Sequence, residues 1–260
     1  MSDAAQHDAT TPGALVFDLD DTLAPSKSPL DPAMASLLGR LLDVVEVAVI
    51  SGGQFEQFRK QVITPLTDSG AGGLNRLHLL PACGTQHYEF DGRGGWNRTY
   101  LEALTDDEKE RTFAALEESA RALNLWEDDT WGPILEDRES QVTFSALGQS
   151  APVEQKKSWD PTGDKKRRLR EAVDARLPDL EVRAGGSTSI DVTRKGRDKG
   201  YGINQLLALT NFTMDDLLFY GDQLEPGGND YAVKALGVRC IAVTDWHETA
   251  RHLEKFLAGR

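Results

Sequence analysis

Two short apolar runs, each ending in a carboxylate, constrain the fold of this chain more than any other feature. Ala14-Leu15-Val16-Phe17 leads straight into Asp18, and Asp20, Asp21 and Thr22 follow within four residues. Leu217-Leu218-Phe219-Tyr220 repeats the device and ends in Gly221-Asp222. Four consecutive apolar residues suit a strand buried on both faces, which points to a parallel sheet covered by helices. The polar residues then fall at the carboxyl end of such a strand, where open α/β sheets bind ligands. Asp18 and Asp20 are two apart, so an extended backbone projects both carboxylates the same way and turns Leu19 inward. Carboxylates this close repel unless a cation lies between them or one is protonated. A hard cation with oxygen ligands, Mg²⁺ above all, resolves that conflict. One carboxylate can then attack phosphorus while the other handles protons. Taken alone, the stretch also reads as a loop in which Asp20 or Asp21 caps a helix.

The rest of the chain supplies the helices that a parallel sheet needs. Asp31-Pro32 opens a helix to about Asp43, Val44 to Ile50 is a strand, Gln54 to Ile63 a helix and Leu77 to Ala82 a strand. The pattern then changes. Tyr88 to Phe90 and Trp96 to Tyr100 read as strands joined by a Gly-rich hairpin, and Thr105 with Glu108 forms a capping box for a long helix to about Leu123. Gln141 to Ala146 alternates as a half-exposed strand, Asp164 to Ala175 is a basic helix, and Leu180 to Arg183 and Ser187 to Val192 are strands. This α+β composition predicts a second domain at 86–194, inserted between core segments 1–85 and 195–260. The βαβ rhythm resumes with a helix at Lys199 to Leu209, a strand at Leu217 to Tyr220, a helix at Asn229 to Leu236, a strand at Arg239 to Val243 and a helix at Glu248 to Leu257.

Charge narrows the partners. With a net charge of −13, nucleic acid and anionic membrane surfaces are disfavoured, and an anionic substrate needs a metal or a local basic patch. The densest basic block, Lys165 to Arg168, reads as a solvated helix face. Cys83 and Cys240 lack metal-type spacing, and Met1 to Pro12 lacks the features of a signal peptide, so a cytoplasmic monomer or homodimer is expected. No run is long enough to cross a bilayer.

Further candidates gather at the same strand ends. Ser51-Gly52-Gly53 offers a hydroxyl and close backbone approach to an anion, or simply a capped strand-to-helix turn. Asp222 can supply a metal oxygen beside Asp18. Asn229 and Asp230 either hold a metal-bound water and orient the loop, or form a turn and helix cap. Lys195 or Lys199 can balance charge during phosphoryl transfer, although lysines are usually solvated.

Together these motifs resemble the haloacid dehalogenase superfamily: Asp18 to Thr22 matches its Asp-x-Asp-x-Thr motif, and Ser51, Lys199 and Gly221-Asp222 with Asn229-Asp230 match the others in order. The long insertion is similar to a type IIB cap (C2B), giving a Rossmann-like parallel-sheet core with an α+β cap. Gly185 to Asp191, Gly196 to Lys199 and Gly221 to Asp230 resemble the eukaryotic-type phosphomannomutases. That resemblance implies Asp18 as nucleophile, Asp20 as general acid/base, and Mg²⁺ held by Asp18, the Asp20 carbonyl and Asp222. It also implies Arg138 on a distal phosphate, with Ser189 and Asp191 on sugar hydroxyls. Several positions depart from that family. Gln149 and Lys27 stand where it has arginines, Lys156 or Lys157 falls near a third, and Asp21 replaces a glycine. A lysine is a point charge where arginine gives a bidentate fork, so these changes should weaken retention of a bisphosphate. The leading expectation is thus a Mg²⁺-dependent phosphatase of a sugar phosphate or similar small phosphorylated metabolite. The alternative is a phosphomannomutase using the same aspartyl-phosphate, and a third reading is a non-catalytic metabolite-binding protein.

Overall fold

The computed structural model describes residues 11–185 and 187–260, so most of the stretch read as lacking a signal peptide lies outside the described residues. Strand β1 (Ala14–Asp18) is buried at every position, as its apolar run requires. Helix α1 (Pro32–Leu42) starts where the Asp31 carboxylate accepts the Ala33 N–H at 2.8 Å and Pro32 takes the first turn. Strand β2 (Glu46–Ile50) begins later than expected because the Val44 and Val45 amides still close the end of α1 on the Leu41 carbonyl.

The helix expected over 54–63 is longer and irregular. Helix α2 (Phe55–Phe58) passes through a π-helical turn at Arg59–Ile63 into α3 (Thr64–Asp68). Pro65 is the cause. It has no N–H to return to the Gln61 carbonyl four residues back, and the wide turn, in which the Thr64 N–H reaches the Arg59 carbonyl, accommodates its ring. The freed Gln61 carbonyl accepts the Leu30 N–H at 2.9 Å instead.

Strand β3 (Leu77–Leu80) is followed by the hairpin β4 (Gln86–Phe90) and β5 (Trp96–Leu101), whose turn is set by Asp91 accepting the Arg93 and Gly95 amides. This hairpin moves the domain boundary expected at residue 86. β4 pairs antiparallel with β3, His78 opposite Glu89, and the Phe55 and Tyr88 rings stack 3.9 Å apart. The hairpin therefore extends the first sheet.

The second compact unit is Leu101–Arg197. Its elements are α4 (Asp106–Ala122), β6 (Leu135–Asp137), β7 (Gln141–Ser145), α5 (Val153–Trp159), α6 (Asp164–Asp174), β8 (Leu180–Ala184) and β9 (Ser189–Arg194). The strands form an antiparallel sheet in the order β6-β7-β9-β8. Val142, Phe144, Ile190 and Val192 share a core with Leu116 and Ala120 of α4 and with Leu169 and Val173 of α6. The opposite face of β7 and β9 is polar. β7, expected to be half-exposed, is buried throughout, because it lies between two strands and its polar side chains bond to their neighbours: Gln141 donates to Thr143 and Thr143 to Asp191, at 2.8 and 2.7 Å. On α6, Arg167 pairs with Asp164 and Glu171, as a solvated basic face would.

The capping box of α4 carries a charge as well. Glu108 accepts the Thr105 N–H and also Nε and Nη2 of Arg194, and the Arg194 hydrogen bonds hold its pKa down at about 2. A carboxylate depressed on folding stabilises above its ordinary pKa, and that stability is lost as pH falls through the folded value. Glu108→Gln, which can still cap, is expected to melt below wild type at pH 7, with the gap closing between about pH 4.5 and 2 in a series of thermal melts.

The other unit is Met1–Tyr100 with Asp198–Arg260. Its second part supplies α7 (Lys199–Leu209), β10 (Leu217–Gly221), α8 (Tyr231–Ala235), β11 (Arg239–Ala242) and α9 (Trp246–Ala258). The seven-stranded sheet runs β11-β10-β1-β2-β3-β4-β5 and is parallel from β11 to β3. Leu15 and Phe17 of β1 face one apolar core, Ala14 and Val16 the other. With β1 between β10 and β2, the residues that follow these three strands emerge side by side. Among the described residues, no helix is long and apolar enough to cross a membrane.

Candidate active site

The end of β1 holds a buried cluster of charge. Lys199, the first residue of α7, is 1% exposed and places Nζ 2.5 Å from Asp18 Oδ1 and 2.6 Å from Asp230 Oδ1. Burial alone would push the ammonium toward neutrality, but the facing carboxylates of Asp18 and Asp230 outweigh it and hold its pKa above the ordinary value. Burial pushes Asp18 up to about 7 against the opposing pull of Lys199. Gly221 makes room for the arrangement. A Cβ there would stand 2.5 Å from Asp230 Oδ2, the oxygen that accepts the Gln223 N–H.

The structure brings Asp222 into this cluster and gives Asp230 another role. Ligand oxygens of Asp18, Asp222 and Asp230 lie within 4.8 Å of one another. Both Asp230 oxygens already accept hydrogen bonds, from Lys199 and from Gln223, so Asp230 serves first to position the lysine. Asp222 Oδ1 is buried with no partner, and burial, followed by the Asp230 charge, raises its pKa. An orphaned carboxylate oxygen beside Asp18 is a hard donor awaiting a cation, so these residues fit Mg²⁺. Asn229 lies in the turn before α8, exposed. If Asp222 is a ligand, Asp222→Ala raises the Mg²⁺ concentration for half-maximal activity by about 10- to 100-fold, which a metal titration of turnover reads directly.

Asp20 is held apart from this cluster. Its Oδ1 accepts the Lys27 N–H at 2.7 Å and Gln61 Nε2 at 3.2 Å, and its Oδ2 accepts Gln57 Nε2 at 3.3 Å. Gln61 also donates to the Ser28 carbonyl, so the π-turn created by Pro65 clamps the whole loop after β1. Gln57 and Gln61 were not anticipated, although their i, i+4 spacing just after Ser51-Gly52-Gly53 was the available cue. Lys27 contributes its backbone N–H to Asp20, and its side chain is exposed. Asp21 accepts the Ser26 N–H. Thr22 Oγ1 is buried without a partner. Ser51 is buried at the end of β2 and its Oγ accepts the Gly53 N–H at 3.2 Å, so that amide is already used, while Gly52 is exposed.

In the Leu101–Arg197 unit, Ser189 and Asp191 share the polar face. Ser189 Oγ meets Ser145 Oγ at 3.3 Å, and Gln149 Nε2 donates to the same Ser145 hydroxyl at 2.5 Å. Lys156 Nζ donates to the Gln149 carbonyl at 2.6 Å. Arg138 pairs with Glu136 at 2.8 Å, yet its Nε is buried without a partner.

A parallel sheet with an aspartate cluster at its strand ends and an α+β insertion is the fold of the haloacid dehalogenase superfamily. A haloacid dehalogenase-like hydrolase from Bacteroides thetaiotaomicron superposes with a TM-score of 0.64 at 15% identity, covering 95% of this chain and all of that one. A truncated IMP-nucleotidase from Plasmodium falciparum gives 0.67 at 16% identity, over 94% of this chain and 70% of that one. The family model for eukaryotic phosphomannomutase matches residues 34–258, so the chain belongs to that family. Phosphomannomutase 1 of Homo sapiens is 26% identical over 227 residues, 85% of this chain and 82% of its own. A probable phosphomannomutase of Caenorhabditis elegans is 25% identical over 256 residues, 94% of each chain.

Proposed function

We propose that the chain is a phosphohexomutase of the phosphomannomutase type, moving a phosphoryl group between positions of a hexose phosphate through a phosphorylated Asp18. The observation that carries this reading is the buried Lys199 bridging Asp18 and Asp230 beside the orphaned Asp222 oxygen. A non-catalytic binder has no use for a nucleophile held this way, and the names of the relatives favour the mutase over the hydrolysis expected from Gln149 and Lys27. In the first half-reaction an Asp18 oxygen bonds to one phosphorus of a hexose bisphosphate as its P–O bond to the sugar breaks, leaving a hexose monophosphate. Asp20, steered by Gln57 and Gln61, gives its proton to the departing oxygen. In the second half-reaction the free hydroxyl of a hexose monophosphate passes its proton to Asp20 and takes the phosphoryl group, which frees Asp18 and forms the bisphosphate whose other phosphate the next cycle removes. Asp18 and Asp222 would hold Mg²⁺, which would supply positive charge to the phosphate oxygens, and Lys199 adds a fixed charge that needs no reorganisation. Arg138, Ser189 and Asp191 are the proposed readers of the distal phosphate and sugar hydroxyls.

One observation favours a second reading, hydrolysis. Gln149 stands where the resemblance implies an arginine and its amide is spent on Ser145, so a charge-assisted bond worth about 1.5–3 kcal/mol would be missing from bisphosphate retention. The Lys156 ammonium on the Gln149 carbonyl restores a point charge without the bidentate geometry. The deciding assay supplies Mg²⁺ with mannose 1-phosphate or mannose 6-phosphate, with and without a hexose bisphosphate, and records isomerised sugar and free phosphate together. Isomerisation stimulated by bisphosphate and outrunning phosphate release is expected. Phosphate release outrunning isomerisation, with Gln149→Arg reversing the order, would install the hydrolase instead.

A further inference from the structure

The sheet carries a second cluster of metal-ligating groups that the phosphoryl-transfer chemistry does not use. His78 of β3 stands opposite Glu89 of β4, and His87 lies two residues from Glu89 on the same face of that strand. His78 Nδ1 is 3.0 Å from His87 Nε2, and Glu89 Oε1 lies 3.6 Å from the first nitrogen and 3.9 Å from the second. Two donors each about 2.05 Å from an ion at the tetrahedral angle are about 3.3 Å apart, so this triangle has the size of one face of a four-coordinate site. We propose that His78, His87 and Glu89 bind a borderline divalent transition-metal ion of the Zn²⁺ class, with solvent completing the coordination.

The groups behind the two rings fit this role. A metal-ligating histidine characteristically donates its other ring N–H to a carboxylate or another oxygen. His78 Nε2 is 3.5 Å from the Glu46 carboxylate, and His87 Nδ1 is 2.5 Å from Thr99 Oγ1. The Thr99 hydroxyl has an outlet of its own, the His87 carbonyl at 3.5 Å. Without an ion, the short contact between the rings requires one of them to direct its proton at the other, and the Glu89 carboxylate beside both nitrogens then meets at most one N–H. An ion between the three removes that mismatch. It also has an entry path, since the Glu89 side chain is 43% exposed while the His87 side chain is fully buried. Two imidazoles and a single carboxylate select for zinc-like ions over Mg²⁺, which prefers an all-oxygen shell. The site would pin the β4–β5 hairpin to the parallel part of the sheet.

The test uses the full chain, stripped with chelator, held in millimolar Mg²⁺ and titrated with Zn²⁺ by calorimetry, with Co²⁺ as a spectroscopic substitute. One equivalent of Zn²⁺ should bind and raise the melting temperature, and Co²⁺ should show the intense visible bands of a four-coordinate site. Glu89→Gln, at a half-exposed position, should weaken binding at least about 10-fold and leave Mg²⁺-dependent turnover unchanged. His87→Gln should abolish it. Absence of Zn²⁺ binding, or binding untouched by Glu89→Gln but lost in Asp222→Ala, would overturn the proposal. This outcome is independent of whether the chain isomerises or hydrolyses its substrate.

Discussion

Asp18→Asn is expected to lower phosphoryl transfer by more than about 10³-fold while leaving the metal-free protein at least as stable as wild type. The amide neither attacks phosphorus nor carries the charge a cation would neutralise, so catalysis is lost at its first bond. Stability moves the other way because the cluster is unbalanced: two buried carboxylates, Asp18 and Asp230, share one ammonium. The Asp18 pKa rises from 3.8 to about 7 on folding, so the folded protein holds that proton more tightly than the unfolded chain. The stabilisation is complete below about pH 3.8 and is lost as pH climbs through about 7. Replacing Asp18 leaves a one-to-one pair of Lys199 and Asp230. In chelator, wild type should therefore lose melting temperature between pH 5 and pH 8 more than Asp18→Asn does. Turnover within a few-fold of wild type would remove Asp18 from the nucleophilic role.

The strands that carry Asp18 and Asp222 were legible because an apolar run ending in a carboxylate is a local pattern. What those side chains meet was not. Lys199 lies 181 positions from Asp18, and frequency alone makes a lysine a surface residue; only the packing of α7 beside β1 and β10 turns it into the pivot of the site. The hairpin at 86–101 was legible as two strands, but its pattern could not say which sheet it would join. That choice involves residues outside the hairpin, His78 of β3 opposite Glu89 and Phe55 of α2 stacked on Tyr88. The helix expected at 54–63 gave no sign of the π-turn before Pro65 that delivers Gln61 to Asp20. Ser189 and Asp191 share a face by simple alternation, whereas their partners Ser145 and Thr143 depend on register. The substitution at Gln149 was readable from the sequence, but the placement of Lys156 against it was not. Hydrolysis was therefore favoured on the substitutions that could be seen, Gln149 and Lys27 among them.

Lys199→Met should be among the most destabilising single changes in the unit that carries Asp18. It is close in volume but removes the ammonium between Asp18 and Asp230, leaving two carboxylates face to face with Asp222 nearby. Breaking a buried ion pair from one side costs about 3–5 kcal/mol, because the surviving charge keeps its desolvation penalty and loses its compensation. For a domain of this size that corresponds to a fall of roughly 6–20 °C in melting temperature. Turnover should fall as well, since the fixed positive charge opposite the transferring phosphate is gone. Two further measurements separate electrostatics from packing. Adding Asp230→Asn to Lys199→Met should recover much of the lost stability, because the second substitution removes one of the stranded charges. Mg²⁺ should raise the melting temperature of Lys199→Met more than that of wild type, since the cation then has the work of the missing ammonium to do. A Lys199→Met protein that melts with wild type and gains nothing from Asp230→Asn would mean that the lysine fills space and holds no charge in balance.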